Sequence, residues 1–207
     1  MRKLSVLLVV ALLAAAPWAN AGITGYNCDD DGDGVIEMTS TAMDPPTGGT
    51  DVTLSMECIH HNDAENGVVG HVEGDFIATP EDPSSTLRFF VENDTGFDWT
   101  AYEIKIGMSQ QFTILSSPIY LPDTDWSATI TQPGSTPVNI NGHNYYVGVV
   151  NFTGGTAVPD GAQDVEFGFK VSWTSGSIAF CTEQTPVPEP VSLVLMGLGA
   201  LLLRRSR

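Results

Sequence analysis

The amino-acid sequence predicts an all-β domain, and an antiparallel β-sandwich is the architecture that fits its pattern best. Residues 164–173 give the clearest strand, because hydrophobic side chains occupy every second position. That period of two is typical of a strand with one buried face. Similar short segments recur between clusters of glycine, proline, asparagine and aspartate, and no long helical period interrupts them. Many short strands at this spacing favour two packed antiparallel sheets.

Nine segments between the two ends of the chain carry a strand pattern. Residues 164–173 direct one set of side chains to the predicted core, namely Val165, Phe167, Phe169, Val171 and Trp173. Residues 87–92 and 100–107 are predicted to pair as a hairpin, because the intervening Asn93-Asp94-Thr95-Gly96 is rich in turn formers. In chain order the predicted strands are residues 51–59, 68–78, 87–92, 100–107, 112–116, 126–131, 144–152, 164–173 and 178–182.

The N-terminal end has the composition of a targeting segment. A positively charged start, Arg2-Lys3, precedes an apolar stretch at residues 4–16 and an Ala-Asn-Ala cleavage site. We therefore predict a cleaved signal peptide at residues 1–21 and a mature chain that starts at Gly22. The alternative is an uncleaved signal anchor, which needs a longer apolar run than this one.

The C-terminal end has three parts in a fixed order. The triplet Pro188, Glu189 and Pro190 precedes an apolar run at residues 191–203, and three arginines follow, Arg204, Arg205 and Arg207. This order resembles the PEP-CTERM sorting tail of exported bacterial proteins, and residues 188–207 are assigned to it. The resemblance implies a transient inner-membrane anchor, cleavage near the triplet by an exosortase-type membrane protease, and a Gram-negative host that makes extracellular polysaccharide.

The apolar run of this tail is short for a transmembrane helix. Residues 191–203 span about 20 Å as a helix, whereas the hydrocarbon core of a bilayer is about 30 Å thick. The arginines ease the mismatch by reaching the interface, and they favour a cytoplasmic C-terminus. The alternative is an ordinary hydrophobic tail helix.

The body of the chain, residues 22–181, is predicted to be one acidic domain, which a linker at residues 182–187 joins to the tail. Its stretch at residues 93–102 resembles an N-x-T-G-x-x-W-T-x-Y hairpin of domains that carry such tails and mostly lack an assigned activity.

The whole chain has a net charge of −17, but five of its 8 basic residues lie in the two end segments. Three basic residues against 24 acids remain between them, so nucleic acid is not a predicted partner. Such a surface attracts cations instead.

Cys28, Cys58 and Cys181 are the only cysteines. In the oxidising compartment that export implies, three cysteines allow one disulfide and leave one thiol over. We predict a Cys28–Cys58 disulfide, which would close the aspartate-rich N-terminal segment. The other two pairings stay open at this point.

An aspartate-rich segment at residues 29–37 carries the sharpest chemical signal. Asp29, Asp31 and Asp33 fall at positions 1, 3 and 5 of a calcium loop, with the Val35 carbonyl at position 7 and Glu37 at position 9. The segment resembles half of an EF-hand or dockerin loop, because position 12 lacks the acid that those families place there. We predict a weak Ca²⁺ site at these five residues, and the alternative is a solvated acidic turn.

Two further groups of side chains are candidates for binding sites. His60, His61 and His71 follow Cys58 closely, but their spacing matches no zinc motif, so surface positions are predicted for them. Aromatic residues offer a stacking platform for carbohydrate, although aromatic residues at alternate strand positions are usually core. The candidates are Trp99, Trp126, Trp173, Tyr120, Tyr145 and Tyr146.

The sequence contains no motif of an established enzyme class, and we assign no catalytic residue. We expect a non-enzymatic structural or interaction module at the cell surface or in the extracellular matrix. The alternative is a calcium-dependent protein that binds carbohydrate such as exopolysaccharide, and a glycan hydrolase is the third hypothesis. Binding to a glycan array with and without Ca²⁺ separates the first two.

Overall fold

A computed structural model describes residues 22–46, 49–79, 82–140 and 142–189. The predicted signal peptide at residues 1–21 lies outside the described residues, as do Pro190, the apolar run and the three arginines of the predicted tail. The described residues form twelve strands and no α-helix, so the all-β prediction is confirmed. Nor do they contain a helix long and apolar enough to cross a membrane.

The strands form two sheets that pack face to face as a β-sandwich. The larger sheet has the order β1-β4-β12-β6-β10-β8, with β9 paired to β10, and the smaller sheet has the order β2-β3-β5-β11-β7. The strands are β1 (Ile23–Asp30), β2 (Ile36–Asp44), β3 (Asp51–His61), β4 (Gly70–Ala78), β5 (Ser84–Asp94), β6 (Trp99–Met108), β7 (Phe112–Tyr120), β8 (Ser127–Thr131), β9 (Val138–Ile140), β10 (His143–Val158), β11 (Val165–Trp173) and β12 (Ile178–Pro188).

One strand pair departs from the predicted antiparallel arrangement. The pair β3 and β5 is parallel, whereas the other pairs of the two sheets are antiparallel. The strand between them in sequence, β4, belongs to the larger sheet. The chain therefore crosses the sandwich twice between β3 and β5 and returns in the same direction.

The alternation predicted for residues 164–173 is confirmed in β11. Phe167, Phe169 and Val171 are fully buried, and Trp173 is nearly so. Between them Glu166 and Lys170 are only half-buried on the outer face. β11 has this regular pattern because it lies inside the smaller sheet, paired with β5 on one side and β7 on the other.

The predicted hairpin between residues 87–92 and 100–107 is wrong, although both segments are strands. β5 belongs to the smaller sheet and β6 to the larger one, so the connection arches over the edge of the core. Buried side chains build this arch: Asn93 Nδ2 donates to the Phe97 and Val158 carbonyls, and Thr95 donates to Asn93 Oδ1. Trp99 Nε1 in turn donates to Thr95 Oγ1. These bonds satisfy polar groups that a two-stranded turn would have left to water.

The segment predicted as a linker, residues 182–187, continues the last strand instead. Within β12, Thr182, Gln184 and Pro186 are buried at alternate positions, which is the pattern of a strand that covers the core. Pro186 is tolerated because β12 no longer pairs with β4 beyond Gln184, so its missing N–H group falls on a free edge. β12 ends at Pro188, and the Glu189 N–H donates to the Asp98 carbonyl.

Aromatic rings fill the space between the sheets. The rings of Tyr102, from β6, and Phe167, from β11, stack with their centroids 4.3 Å apart. Trp99 packs against the same Tyr102 at 5.0 Å. Towards the other end of the core, Phe76 stacks on both Trp173 and Phe180. Each such pair adds about 0.5–1.5 kcal/mol beyond the burial of its area.

A buried polar network lies beside this aromatic stack. His60 Nε2 lies 2.9 Å from the Val68 carbonyl oxygen and His60 Nδ1 lies 2.8 Å from Tyr102 Oη, which is also 2.9 Å from Gln184 Oε1. Because a carbonyl can only accept, Nε2 carries the proton, and in a neutral ring Nδ1 then accepts from the Tyr102 hydroxyl. Since the Tyr102 hydroxyl has only one proton and gives it to His60, we assign the Gln184 amide in the flipped orientation, in which Nε2, otherwise without a partner, donates to Tyr102 Oη.

The free energy of unfolding should fall when the solution is acidified from about pH 6.5 to about pH 4, and His60 should cause part of the loss. Burial lowers the pKa of His60 from 6.5 to about 4. In this window the unfolded chain binds the proton more readily than the folded one, so stability present above pH 6.5 is lost as the pH falls. The full effect is about 3 kcal/mol and is measurable by urea unfolding at several pH values.

The control for this measurement is His60→Gln, which keeps a donor for the Val68 carbonyl and removes the titrating ring. Since the many carboxylates titrate in both proteins, the informative quantity is the difference between them. The free energy of unfolding of the variant should depend less on pH in this window. An identical pH dependence in both proteins would contradict a buried, neutral His60.

Candidate functional site

The inward faces of both sheets are filled by the core, so outer faces and connections are the surfaces that a partner can reach. Two of them bring chemically useful side chains together. The first, the aromatic face, consists of Arg88, Phe90, Tyr120 and Gly168 on the outside of the smaller sheet. The second, the acidic loop, is the connection between β1 and β2, residues 31–35.

Three neighbouring strands build the aromatic face. Arg88 of β5 pairs with Gly168 of β11, and Gly168 pairs with Tyr120 of β7, so the three residues form one row across the sheet. The lack of a side chain at Gly168 lets the Tyr120 ring lie against the sheet, since a Cβ there would be 3.0 Å from Tyr120 Cδ2. Phe90 lies in the next row of β5 and, like Tyr120, is half-buried.

Arg88 fixes the two rings relative to each other. Its guanidinium carbon lies 4.8 Å from the ring centroid of Phe90 and 4.6 Å from that of Tyr120. Its Nε donates to Glu166 Oε1 at 2.6 Å, and this bond holds the pKa of Arg88 above its usual value. A planar cation against two aromatic rings is a cation–π arrangement, which adds about 0.5–2 kcal/mol per contact. The two rings are therefore held in place before any ligand arrives.

A polar pocket of about 200 Å³ adjoins Phe90. Glu57, Glu92, Gln163 and Asp164 contribute acceptors to its wall. Asp164 also has a positive φ of 54°, a conformation that is uncommon outside glycine and marks the turn into β11. The face thus combines hydrophobic ring surface with carboxylate and amide oxygens, which is the combination that polyhydroxylated ligands require.

The sequence predicted only part of this face. The three tryptophans among the predicted aromatic candidates are core residues, and Tyr145 is also buried. Tyr120 is the candidate that the structure places on the aromatic face. Phe90 and Arg88 were missed, although the adjacent pair Phe89-Phe90 was a usable signal, since only one of two successive strand side chains can face the core.

The acidic loop does not assemble the five predicted calcium ligands. Asp29 is exposed on β1, where its Oδ1 accepts from the Asp30 N–H. The Val35 carbonyl accepts from the His61 N–H at 2.8 Å. Glu37 Oε2 lies 3.6 Å from His61 Nε2. Three of the five predicted ligands therefore have other neighbours, and the remaining two aspartates lie together.

Those two residues, Asp31 and Asp33, meet a histidine that sequence analysis assigned to no site. His71 Nδ1 lies 3.3 Å from Asp31 Oδ2 and 3.7 Å from Asp33 Oδ2. The ligand atoms of the three residues lie within 4.8 Å of one another. His71 reaches the loop because β4 pairs with β1, with Val72 opposite Asp30. The surface position predicted for His60 is wrong, because its ring is fully buried in the core, whereas His61 lies beside Glu37 and Asp94.

The cysteines of the described chain are free thiols, so the predicted Cys28–Cys58 disulfide is absent from the structure. Burial, and secondarily the charge of Cys28, raises the pKa of Cys58 to about 12. Burial also raises the pKa of Cys28 to about 12, with Asp29 adding to the shift. With pKa values this high, both thiols are protonated at neutral pH in this structure.

No protein-family model matches the chain, and no curated protein matches it in sequence. Among solved structures it is similar to Caldicellulosiruptor saccharolyticus CBM27-1 in complex with mannohexaose, with 13% identity, 79% of this chain and 91% of that chain covered, and a TM-score of 0.26. It is also similar to TmCBM61 in complex with beta-1,4-galactotriose, with 11% identity, coverage of 82% and 92%, and a TM-score of 0.24.

Proposed function

We propose that the protein is an exported, non-enzymatic interaction module that binds polysaccharide through its aromatic face. The observation that carries this proposal is the pair of outward-facing rings, Phe90 and Tyr120, held by Arg88 beside a pocket of carboxylates. A sugar ring offers a hydrophobic face of C–H groups to such rings and hydroxyl groups to such carboxylates. The smaller sheet therefore offers both the ring surface and the hydrogen-bond acceptors that a sugar can bind.

The charge of the domain favours a neutral polysaccharide over an acidic one. Glu57, Glu92, Asp164 and Glu166 surround the aromatic face, and the single arginine there is already paired with Glu166. An acidic sugar would meet like charges, which disfavour binding. Hydroxyl groups of a neutral sugar would instead donate to these carboxylates in charge-assisted hydrogen bonds.

We further propose that the module reaches the cell surface or extracellular matrix through its end segments. A signal peptide at residues 1–21 would start export, and an exosortase-type protease would release the domain near Pro188, Glu189 and Pro190. Export along this route would bring the domain to the cell surface, where it would meet extracellular polysaccharide. The predicted calcium dependence stays a separate proposal, tested by adding Ca²⁺ or a chelator to the binding experiment below.

Polysaccharide binding should depend on the two rings of the aromatic face. Affinity electrophoresis of the full-length protein against neutral and acidic polysaccharides, including that of the host, should show retardation by a neutral one. Phe90→Ala and Tyr120→Ala should each weaken binding roughly threefold to tenfold, because one aromatic contact contributes about 0.5–1.5 kcal/mol. Tyr120→Phe should bind like wild type, since it keeps the ring.

Ile77→Ala is the matched control for this experiment, because Ile77 is a strongly exposed hydrophobic residue on the larger sheet. It should leave the binding unchanged. Equal binding of wild type and both ring variants would contradict the assignment of the aromatic face, as would a failure of every polysaccharide to bind. Release of reducing sugar from a bound polysaccharide would show a hydrolase instead of a binding module.

The sorting tail should be absent from the exported protein. Mass spectrometry of protein recovered from the cell surface should find a C-terminus near the Pro188-Glu189-Pro190 triplet and no peptide from residues 191–207. Replacing the triplet with alanines should leave the chain in the inner membrane, because the protease would lose its recognition sequence. Surface protein that still ends at Arg207 would contradict a cleaved sorting signal.

A further inference from the structure

We propose that Asp31, Asp33 and His71 form a binding site for a divalent transition metal, with Zn²⁺ as the representative ion. The three side chains come from two separate parts of the fold, the acidic loop and β4, and their ligand atoms converge within 4.8 Å of one another. This site involves none of the residues of the aromatic face, so it does not depend on the proposed binding of polysaccharide.

Each carboxylate of the site has one oxygen engaged and one available. Asp31 Oδ1 accepts from the Asp33 N–H at 3.2 Å, and Asp33 Oδ1 accepts from the Val35 N–H at 2.8 Å. Asn66 Nδ2 also donates to the Asp33 carbonyl at 2.8 Å, which ties the loop to the β3–β4 connection. The second oxygen of each carboxylate, Oδ2, faces His71 Nδ1.

The environment of His71 Nδ1 indicates that a cation binds here. This atom is shielded from solvent and has no hydrogen-bond partner among the described residues. Without a proton or a cation at Nδ1, its lone pair faces two negatively charged carboxylate oxygens 3.3 Å and 3.7 Å away, and this repulsion costs free energy. A metal ion between the three atoms removes that cost, because all three then act as ligands.

The chemistry of the ligands favours a transition metal over Ca²⁺, and their spacing fits Zn²⁺. Ligand atoms about 2.1 Å from a tetrahedral Zn²⁺ lie about 3.4 Å apart, which fits the 3.3 Å and 3.7 Å between His71 Nδ1 and the two carboxylate oxygens. Imidazole nitrogen suits Zn²⁺, whereas Ca²⁺ prefers six to eight oxygen ligands. The Val35 carbonyl, which a calcium loop would use, already accepts from the His61 N–H.

Three protein ligands leave at least one coordination position for water or for a group from a partner. The acidic loop crosses from one sheet to the other. A metal bound at this site would fasten the loop to the start of β4. Because the loop lies close to the start of the mature chain, the metal would hold the first strand in place.

The test is a calorimetric titration of the full-length, chelator-treated protein with Zn²⁺, Mn²⁺ and Ca²⁺ in separate runs. Zn²⁺ should bind saturably at one site and more tightly than Ca²⁺. His71→Gln and Asp31→Asn should each weaken Zn²⁺ binding roughly tenfold or more. Asp31→Asn keeps the Oδ1 acceptor and places an N–H donor opposite His71 Nδ1, so the loop should keep its fold, and an unchanged melting temperature without metal would verify this.

Asp29→Asn is the matched control, because Asp29 belongs to the predicted calcium loop but not to the Asp31, Asp33 and His71 cluster. It should leave Zn²⁺ binding within about twofold of wild type, well below the effect of losing a ligand. The proposal is overturned if no saturable Zn²⁺ binding occurs up to millimolar concentration, or if Asp29→Asn weakens binding as much as His71→Gln. Ca²⁺ binding that is tighter than Zn²⁺ binding and insensitive to His71→Gln would also overturn it, in favour of a calcium loop.

Discussion

Tyr102 connects the two sheets through both its ring and its hydroxyl group. The ring stacks on Phe167 of the smaller sheet, while the hydroxyl oxygen contacts His60 and Gln184 from different sheets. Buried polar groups of this kind are costly when unpaired, so the register of β3, β6 and β12 must keep them together. Through His60 the network also holds Val68, three residues before His71.

The outer surface of the sandwich follows from the scarcity of positive charge. The arginine and the two lysines of the described chain each pair with a carboxylate from another strand of the same sheet: Arg88 with Glu166, Lys105 with Glu183, and Lys170 with Asp51. Surface pairs of this kind contribute little to stability, so their effect is chiefly to position side chains. The unpaired acids leave a surface suited to cations and neutral sugars. The aromatic face and the acidic loop are the places where that surface gains a defined geometry.

The alternation of hydrophobic residues predicted most of the strands, but it did not predict which strands pair with each other. The alternation in β11 was sufficient to identify its buried face, because β11 lies between β5 and β7 and has one face against the core. The connection from β5 to β6 was predicted as a hairpin because hairpins and arches between two sheets use the same turn residues. Only the long-range pairing of each strand distinguishes an arch from a hairpin. β1 and β2 were not predicted, since their exposed and polar positions weaken the hydrophobic period. Two aspartates of the proposed metal site were predicted because they are close in sequence. His71 was not predicted, because only the pairing of β4 with β1 brings its side chain to these aspartates.

The free energy of unfolding of Tyr102→Phe is the most direct test of the contact between the sheets. Removing the hydroxyl keeps the ring stack and leaves His60 Nδ1 and the Gln184 amide without their partner, so urea unfolding should show a loss of about 1–3 kcal/mol. Tyr145→Phe is the control, because the Tyr145 ring is buried but its hydroxyl makes no hydrogen bond within the described chain. A loss for Tyr102→Phe no greater than that for Tyr145→Phe would contradict a polar network that joins the two sheets.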